Sequence, residues 1–209
     1  MCVLVDNSED IHLKINEISK VKIGDCISFG KYYQKKGIAV KDEIQWIVLD
    51  MKDNKVLVIS KYSLDCKPYN TPLKKITWEK CSLRSWLNTN FITEAFNTDE
   101  RNCICETTVT ADKNPGCRTN PGKDTKDKVF ILSCPEVQKY FQTKDIRKCK
   151  PTEYAKNNGN GCCWWLRSPG RNQYTADYVD YYGDIPGCGN SVDRDEHAVR
   201  PAMWINLEA

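Results

Sequence analysis

The sequence predicts an α+β domain. Three observations carry that expectation: short apolar runs that read as strands, two or three helical stretches set among them, and no regular alternation of strand and helix along the 209 residues. The length suits one large domain that buries a core without staples. Residues 1–20 read as a polar lead-in and 21–209 as a single domain.

Taken in order, residues 21–30 form the first expected strand. Val21, Ile23, Ile27 and Phe29 are apolar with polar residues between them, and Gly24-Asp25 offers a kink or bulge. Residues 44–50 and 56–60 are mostly apolar, and Asp53-Asn54 between them supplies turn chemistry, so the two runs make a hairpin. Thr77 is placed to cap a helix from Trp78 to about Asn88, with Glu79 in the first turn where the helix dipole favours an acid. Trp78, Cys81, Trp86, Leu87 and Phe91 share one side of it and face a core. A second short helix is expected around 93–96.

Residues 111–127 are too polar and too rich in Pro and Gly to pack and read as a loop. Residues 129–133 read as a short buried strand, and Pro135 opens a helix through Phe141. Residues 162–168, with Trp164-Trp165, form another strand. Residues 169–197 are turn-rich and irregular, and 199–207 close the chain as a strand interrupted at Pro201. No tandem repeat is present.

Lys and Arg number 31 against 28 Asp and Glu, a net charge of +3, and the basic residues are spread along the chain. That distribution argues against a nucleic-acid partner. The apolar start is stopped by Asp6, Glu9 and Asp10, so no secretory signal is expected. No stretch has the length for membrane insertion, and the expected location is cytoplasmic. Twelve cysteines include no Cys-x-x-Cys pair; only Cys103 and Cys105, and Cys162 and Cys163, lie close in sequence. Zinc ribbons need two close pairs. The default is reduced, buried thiols acting as small hydrophobes, with structural disulfides and a metal or redox site as alternatives. No metal or other cofactor is expected.

The histidines are His12 and His197. Ser168 or Ser191 could complete a catalytic set with His197, but neither sits in Gly-x-Ser-x-Gly, so a solvated loop histidine is the better reading. Asp177, Asp180, Asp184, Asp193 and Asp195 are dense enough to suggest calcium, yet no EF-hand spacing is present and solvated acids are favoured. Arg84 and Arg167 stand beside tryptophans in apolar surroundings. Each should therefore meet a carboxylate or backbone carbonyls, with Asp25, Asp50 and Glu79 as candidate partners.

The most informative segment is 171–197. It holds Tyr174, Tyr178, Tyr181 and Tyr182, the five aspartates just named, Asn172, Asn190, Ser191 and His197, with Gly183, Gly187 and Gly189 between. This is paratope chemistry: tyrosine gives rigid amphipathic area, and Asn, Asp, Ser and Gly give adaptable polar contact. The expectation is an exposed ligand-binding surface built from Asn172, Tyr174, Asp177, Tyr178, Asp180, Tyr181, Tyr182, Asp184, Asn190, Ser191, Asp193, Asp195 and His197. The competing reading is a hairpin with tyrosines packed along one face.

An ordered set of motifs runs through the chain: Gly24-Asp25-x-Ile27-x-Phe29-Gly30-x-Tyr32, Ile44-x-Trp46-x-Val48-Leu49-Asp50, and Trp78-Glu79-x-Cys81-Ser82-Leu83-Arg84-x-Trp86-Leu87-Asn88. Thr125-Lys126-Asp127-Lys128-Val129-Phe130-x-Leu132-Ser133, Trp164-Trp165-Leu166-Arg167-Ser168-Pro169-Gly170 and Val199-Arg200-Pro201-Ala202 follow. Over about residues 21–207 the set resembles a bacterial domain of unknown function related to C-type-lectin folds of the formylglycine-generating-enzyme type. The resemblance implies short twisted antiparallel sheets with two or three packed helices and long loops. It also implies an unknown protein, peptide or glycan ligand. Some members of that fold group are variable proteins of diversity-generating retroelements. In those proteins adenine-directed mutagenesis of Asn codons yields Tyr, Asp, Ser, Gly, Cys, His and Arg near the C-terminus. On that reading 171–197 is the variable region and 164–170 and 199–202 are scaffold; a fixed binding domain is equally implied. The enzyme alternative is a copper oxidase acting on a cysteine substrate. Cys162, Cys163 and Cys188 are its only candidates, and the family's copper motif does not map onto them.

Overall fold

Asp53 and Asn54, at φ 50° and 56°, take the left-handed conformation that a tight hairpin turn needs, and the first sheet grows from that turn. In a computed structural model, which describes residues 21–37 and 39–207, β2 (Lys41–Lys52) pairs antiparallel with β3 (Lys55–Ser60) from Trp46↔Ser60 to Lys52↔Lys55. β1 (Cys26–Tyr33) adds to the outside of β2 and β11 (Ala202–Asn206) to the outside of β3. Ile44, Trp46 and Val48 alternate into the core, as a half-buried strand requires. The first strand begins at Cys26 rather than at residue 21, because Gly24, at φ 94°, bends the chain before pairing starts. The expected lead-in, 1–20, lies outside the described residues.

The second sheet has the order β4-β10-β7-β8-β9. Its strands are β4 (Asp65–Cys66), β7 (Trp164–Pro169), β8 (Thr175–Val179), β9 (Asn190–Ser191) and β10 (Ala198–Val199). β10 runs parallel to β7, and the other pairings are antiparallel. Adjacent residues on a strand point to opposite faces, so Trp164 and Trp165 divide between the two sides of this sheet, and both are fully buried. Trp164 meets Phe141, with centroids 6.5 Å apart, and Trp165 meets Tyr69 at 5.9 Å. Their indole nitrogens donate to the carbonyls of Arg147 and Lys67. A two-stranded ribbon joins β5 (Thr107–Val109) to β6 (Thr125–Asp127), so the end of the expected 111–127 loop is strand.

The expected helix from Trp78 to Asn88 is broken. A 3₁₀ turn covers Trp78–Lys80, an α-helix Ser82–Trp86, a π-turn Leu87–Phe91, and a further helix Ile92–Ala95. Thr77 makes no side-chain cap; Cys81 sits in an extended conformation and its sulfur accepts the Arg84 N–H at 3.4 Å. Trp86 is half-buried with the Lys67 ammonium over its ring, so it borders the core instead of filling it. Residues 129–133 are buried as expected but form no strand: Phe130 bridges to Ala202, and the Leu132 carbonyl accepts the Arg167 N–H of β7. The helix Cys134–Tyr140 begins where Pro135 suggested, with a capping box between Ser133 and Glu136. The described residues hold six short α-helices, more and shorter than the two or three expected. The architecture is mixed α and β, with mainly antiparallel sheets.

Three buried or half-buried arginines tie these layers together. Arg84 pairs with Asp127 at 2.6 Å and donates to the Glu79 carbonyl. Arg167 is clamped by the Glu136 and Asp112 carboxylates and donates to the Ile131 and Thr110 carbonyls. Both arginines meet carboxylates and backbone carbonyls as expected; of the candidate partners Glu79 serves Arg84 through its carbonyl, and Asp25 and Asp50 are engaged elsewhere. Asp25 accepts the Lys22 N–H, and Asp50 holds Lys139 and Tyr140. Arg200 was not anticipated: among the described residues it has no acidic partner, and it is buried between the rings of Phe141 and Trp164 at 5.2 and 4.9 Å and donates to the Ser60 carbonyl. The eleven described cysteines are all free, but only Cys66, Cys81, Cys103 and Cys134 are buried, and Cys26 and Cys188 are exposed.

Candidate functional site

Residues 171–197 run from the end of β7 at Pro169 to the start of β10 at Ala198 and supply β8 and β9 of the second sheet, so both ends are fixed in buried strands. The segment is more ordered than its composition suggested. Ala176, Asp177 and Val179 of β8 are buried, and the strand lies between β7 and β9 where irregular chain was expected.

At one end of β8, Asn172 organises a turn by accepting the Tyr174 N–H at 2.9 Å, and Tyr174 is 43% exposed. At the other end, the Asp180 carboxylate accepts the N–H groups of Tyr182 and Asp184 at 2.9 and 2.8 Å. Asp184 in turn pairs with the Lys144 ammonium at 2.6 Å. Gly183, at φ 84°, packs so tightly on the Lys144 carbonyl that a Cβ would collide with it. The result is a braced turn that presents Tyr181 and Tyr182 side by side, ring centroids 3.8 Å apart, 57% and 59% exposed. A hydrogen bond with Tyr182 lifts the Tyr181 phenol above its ordinary pKa.

The four tyrosines do not form one patch. Tyr174 precedes β8 and Tyr181 follows it, so five strand residues at about 3.3 Å each set them roughly 15 Å apart. Tyr178, between them, is half-buried against Trp165 and His197.

Two residues expected on the surface are inside. Asp177 is fully buried. Its carboxylate accepts from the Asn114 side chain at 2.9 Å, the Cys134 thiol at 3.2 Å and the Tyr178 N–H at 3.0 Å. Burial pushes its pKa up, and those hydrogen bonds offset part of the rise. His197 is 4% exposed, held between the rings of Trp165 and Tyr178, with Nε2 3.0 Å from the Asn190 amide. Burial lowers its pKa to about 4, so the ring is neutral at pH 7 and not a solvated loop histidine. Neither side chain reaches a ligand at the surface.

The rest are distributed along the rim. Asn172, Asp193 and Asp195 are exposed, while Asp180, Asp184, Asn190 and Ser191 are partly covered, and Ser191 donates to Asp193. Among the described residues no three His, Cys, Asp or Glu side chains converge to hold a metal ion. Of the cysteines named for the copper alternative, Cys162 faces Asn160, the Cys163 sulfur takes the Tyr181 N–H, and Cys188 is exposed.

Two residues that position the site escaped the sequence reading. Lys144 braces the tyrosine turn. Asn114, buried in a polar loop, has its amide nitrogen 2.9 Å from the carbonyls of Pro169 and Gly187 as well as from Asp177, and so pins the segment's base. The one signal for Asn114 is its place before Pro115-Gly116, a turn former.

A family model described as a domain of unknown function, DUF6273, matches residues 53–207. The matched span begins in the turn between β2 and β3, so β1 precedes it. No curated protein and no solved structure matches the chain.

Proposed function

We propose, for a chain that belongs to the DUF6273 family of domains of unknown function, that it is a ligand-binding domain presenting residues 171–197 on a C-type-lectin-like scaffold. The observation that carries this reading is the Tyr181–Tyr182 pair, exposed on a turn braced by Asp180, Asp184 and Lys144. A rigid turn has little conformational entropy left to lose on binding, and exposed aromatic rings are the side chains that most often dominate contact energy. The expected ligand is a protein, peptide or glycan surface. Asp180 stands beside the tyrosines without a lysine or arginine partner among the described residues, which favours a ligand carrying a cationic group.

Diversification of the segment by a retroelement is the second part of the proposal. The fold gives it a sharp form: exposed Asn172, Tyr174, Tyr181, Tyr182, Asp193 and Asp195 tolerate exchange, while Asp177 and His197 do not. Neighbouring DNA that holds a reverse transcriptase gene and a near-copy of the 171–197 coding stretch, mismatched at the first group and matched at the second, supports it. A near-copy mismatched equally at Asp177 and His197 overturns it.

Selection of a displayed random-peptide library on the full chain tests the binding surface. Enriched peptides should bind the wild type and lose affinity for Tyr181→Ala/Tyr182→Ala by roughly tenfold or more. Enriched peptides that bind both proteins equally would remove the tyrosine turn from the site.

A further inference from the structure

A cleft of about 320 Å³ opens beside Tyr174, on the far end of β8 from the tyrosine turn. This volume is at the lower end of the range for small-ligand sites. Lys75, Lys80, Lys123, Glu79, Thr77 and Gln173 line most of it, with Asn120 at its edge.

Its walls come from separate parts of the chain and are tied to one another. The Ile76 N–H donates to the Gln173 carbonyl at 2.9 Å, which fixes the 72–76 loop to the candidate segment. The Lys123 N–H donates to the Glu79 carboxylate at 3.0 Å, and Asn120 accepts the Gly122 N–H. Gly122, at φ 92°, lies so close to the Thr77 side chain that a Cβ would stand 2.8 Å from it. Behind the wall, Arg84 and Asp127 hold the 3₁₀ turn Trp78–Lys80 to β6.

The charges in this cleft do not cancel. Three lysines face one glutamate, and Glu79 is already engaged by the Lys80 ammonium at 3.4 Å and by the Lys123 backbone. Among the described residues the ammonium groups of Lys75 and Lys123 have no acidic partner. The rest of the lining offers neutral hydrogen-bond donors from Thr77, Asn120 and Gln173. Further along the segment the exposed and partly covered charges include Asp180, Asp184, Asp193 and Asp195.

We propose that this cleft binds a tetrahedral oxyanion, the phosphate or sulfate ester group of a small ligand, with Lys75, Lys80 and Lys123 as its counter-charges. Lysine meets such groups as a point charge with three donors, and a concave wall holds several within reach of the same oxygens. The site is separate from the tyrosine turn and does not depend on that turn being a binding surface.

The test is an amide-resolved NMR titration of the full chain with O-phosphoserine, glucose 6-sulfate and sodium chloride at matched ionic strength. Saturable shifts are expected at Ile76, Gly122, Lys123 and Gln173 with either ester and not with chloride; the tighter ester identifies the source of the anion. Charge-assisted hydrogen bonds are the strong ones, so Lys75→Gln/Lys123→Gln should weaken binding roughly tenfold or more. Lys55→Gln, remote from the cleft, should leave it unchanged. Both are surface changes, and an unaltered melting temperature confirms the fold. Shifts that chloride reproduces, shifts outside the cleft, or equal affinity in the double variant would overturn the assignment.

Discussion

Tyr178 lies across His197, ring centroids 4.7 Å apart, and together with Trp165 it closes the imidazole off from water. The middle of the 171–197 segment is therefore an anchor, and only its turns are surface. Asn190 completes the arrangement from β9, so the outermost strand of the sheet is tied to the residue that leads into β10.

That burial makes the fold pH-sensitive. The folded-state pKa of His197, about 4, lies below its ordinary value of 6.5. Between those two values the unfolded chain binds more protons, so stability is greatest above pH 6.5 and falls as pH drops toward 4. At pH 4.5 the loss from this one group is about 2–3 kcal/mol. Denaturant titrations at pH 7 and 4.5 should show that loss in the wild type and not in His197→Gln, which keeps an amide for Asn190. Asp177, with its raised pKa, has the opposite sign but is common to both proteins. Equal pH dependence in the two would show that His197 is not buried neutral.

Asp177 and Asp193 are separated by burial alone in what they should cost. Asp177→Ala leaves the buried Cys134 thiol without its acceptor and takes one of three from the Asn114 amide, and it should destabilise by about 1–3 kcal/mol. Asp193→Ala, at the surface, should stay within about 0.5 kcal/mol. A neutral Asp177→Ala in urea denaturation would contradict the polar cluster.

The hairpin of the first sheet was legible because its evidence is local: apolar runs on both sides of Asp53-Asn54. The irregular strand at Pro201 was legible for the same reason. The helix from Trp78 was misread because its cap is a sulfur, a weak acceptor that sequence rules do not rank, and because a π-turn follows at Leu87–Phe91. Asp177 looked like its exposed neighbours because its partners, Asn114 and Cys134, are 63 and 43 residues away. His197 looked solvated for a similar reason: Trp165 reaches it only through the parallel pairing of β10 with β7. Arg84 and Arg167 were recognised as needing a carboxylate or carbonyls, and the nearby Glu79 carbonyl was within reach of that reading; their acids, Asp127, Asp112 and Glu136, follow from topology.

Thiol accessibility should divide into classes. Pulsed alkylation of the native, unreduced protein followed by peptide mass mapping is expected to label Cys26 and Cys188 first and Cys66, Cys81, Cys103 and Cys134 last. Burial also raises the pKa of Cys66 and Cys81 to about 12, so they lack thiolate at pH 8 as well as access. Early labelling of the buried four, or disulfide-linked peptides among the eleven, would contradict the structure.

The scaffold and the tyrosine turn should separate in one comparison. Trp164→Ala removes a fully buried ring that packs on Phe141 and on the Arg200 guanidinium, and it leaves that charge with the Phe141 ring alone. The expected cost is about 3–5 kcal/mol, the range for emptying an aromatic site in a packed core. Tyr181→Ala/Tyr182→Ala removes two rings that are mostly in water, and the turn beneath them is held by the Asp180 carboxylate and the Lys144–Asp184 pair, which the change does not touch. Its melt should stay near the wild type, within about 0.5 kcal/mol. Tyr178→Ala should fall between them, because its ring covers His197 and half of its own surface is buried. Chemical denaturation of the three variants at pH 7 ranks them. If the double tyrosine change costs as much as Trp164→Ala, those rings belong to the core of the fold and the turn is not free to serve a ligand.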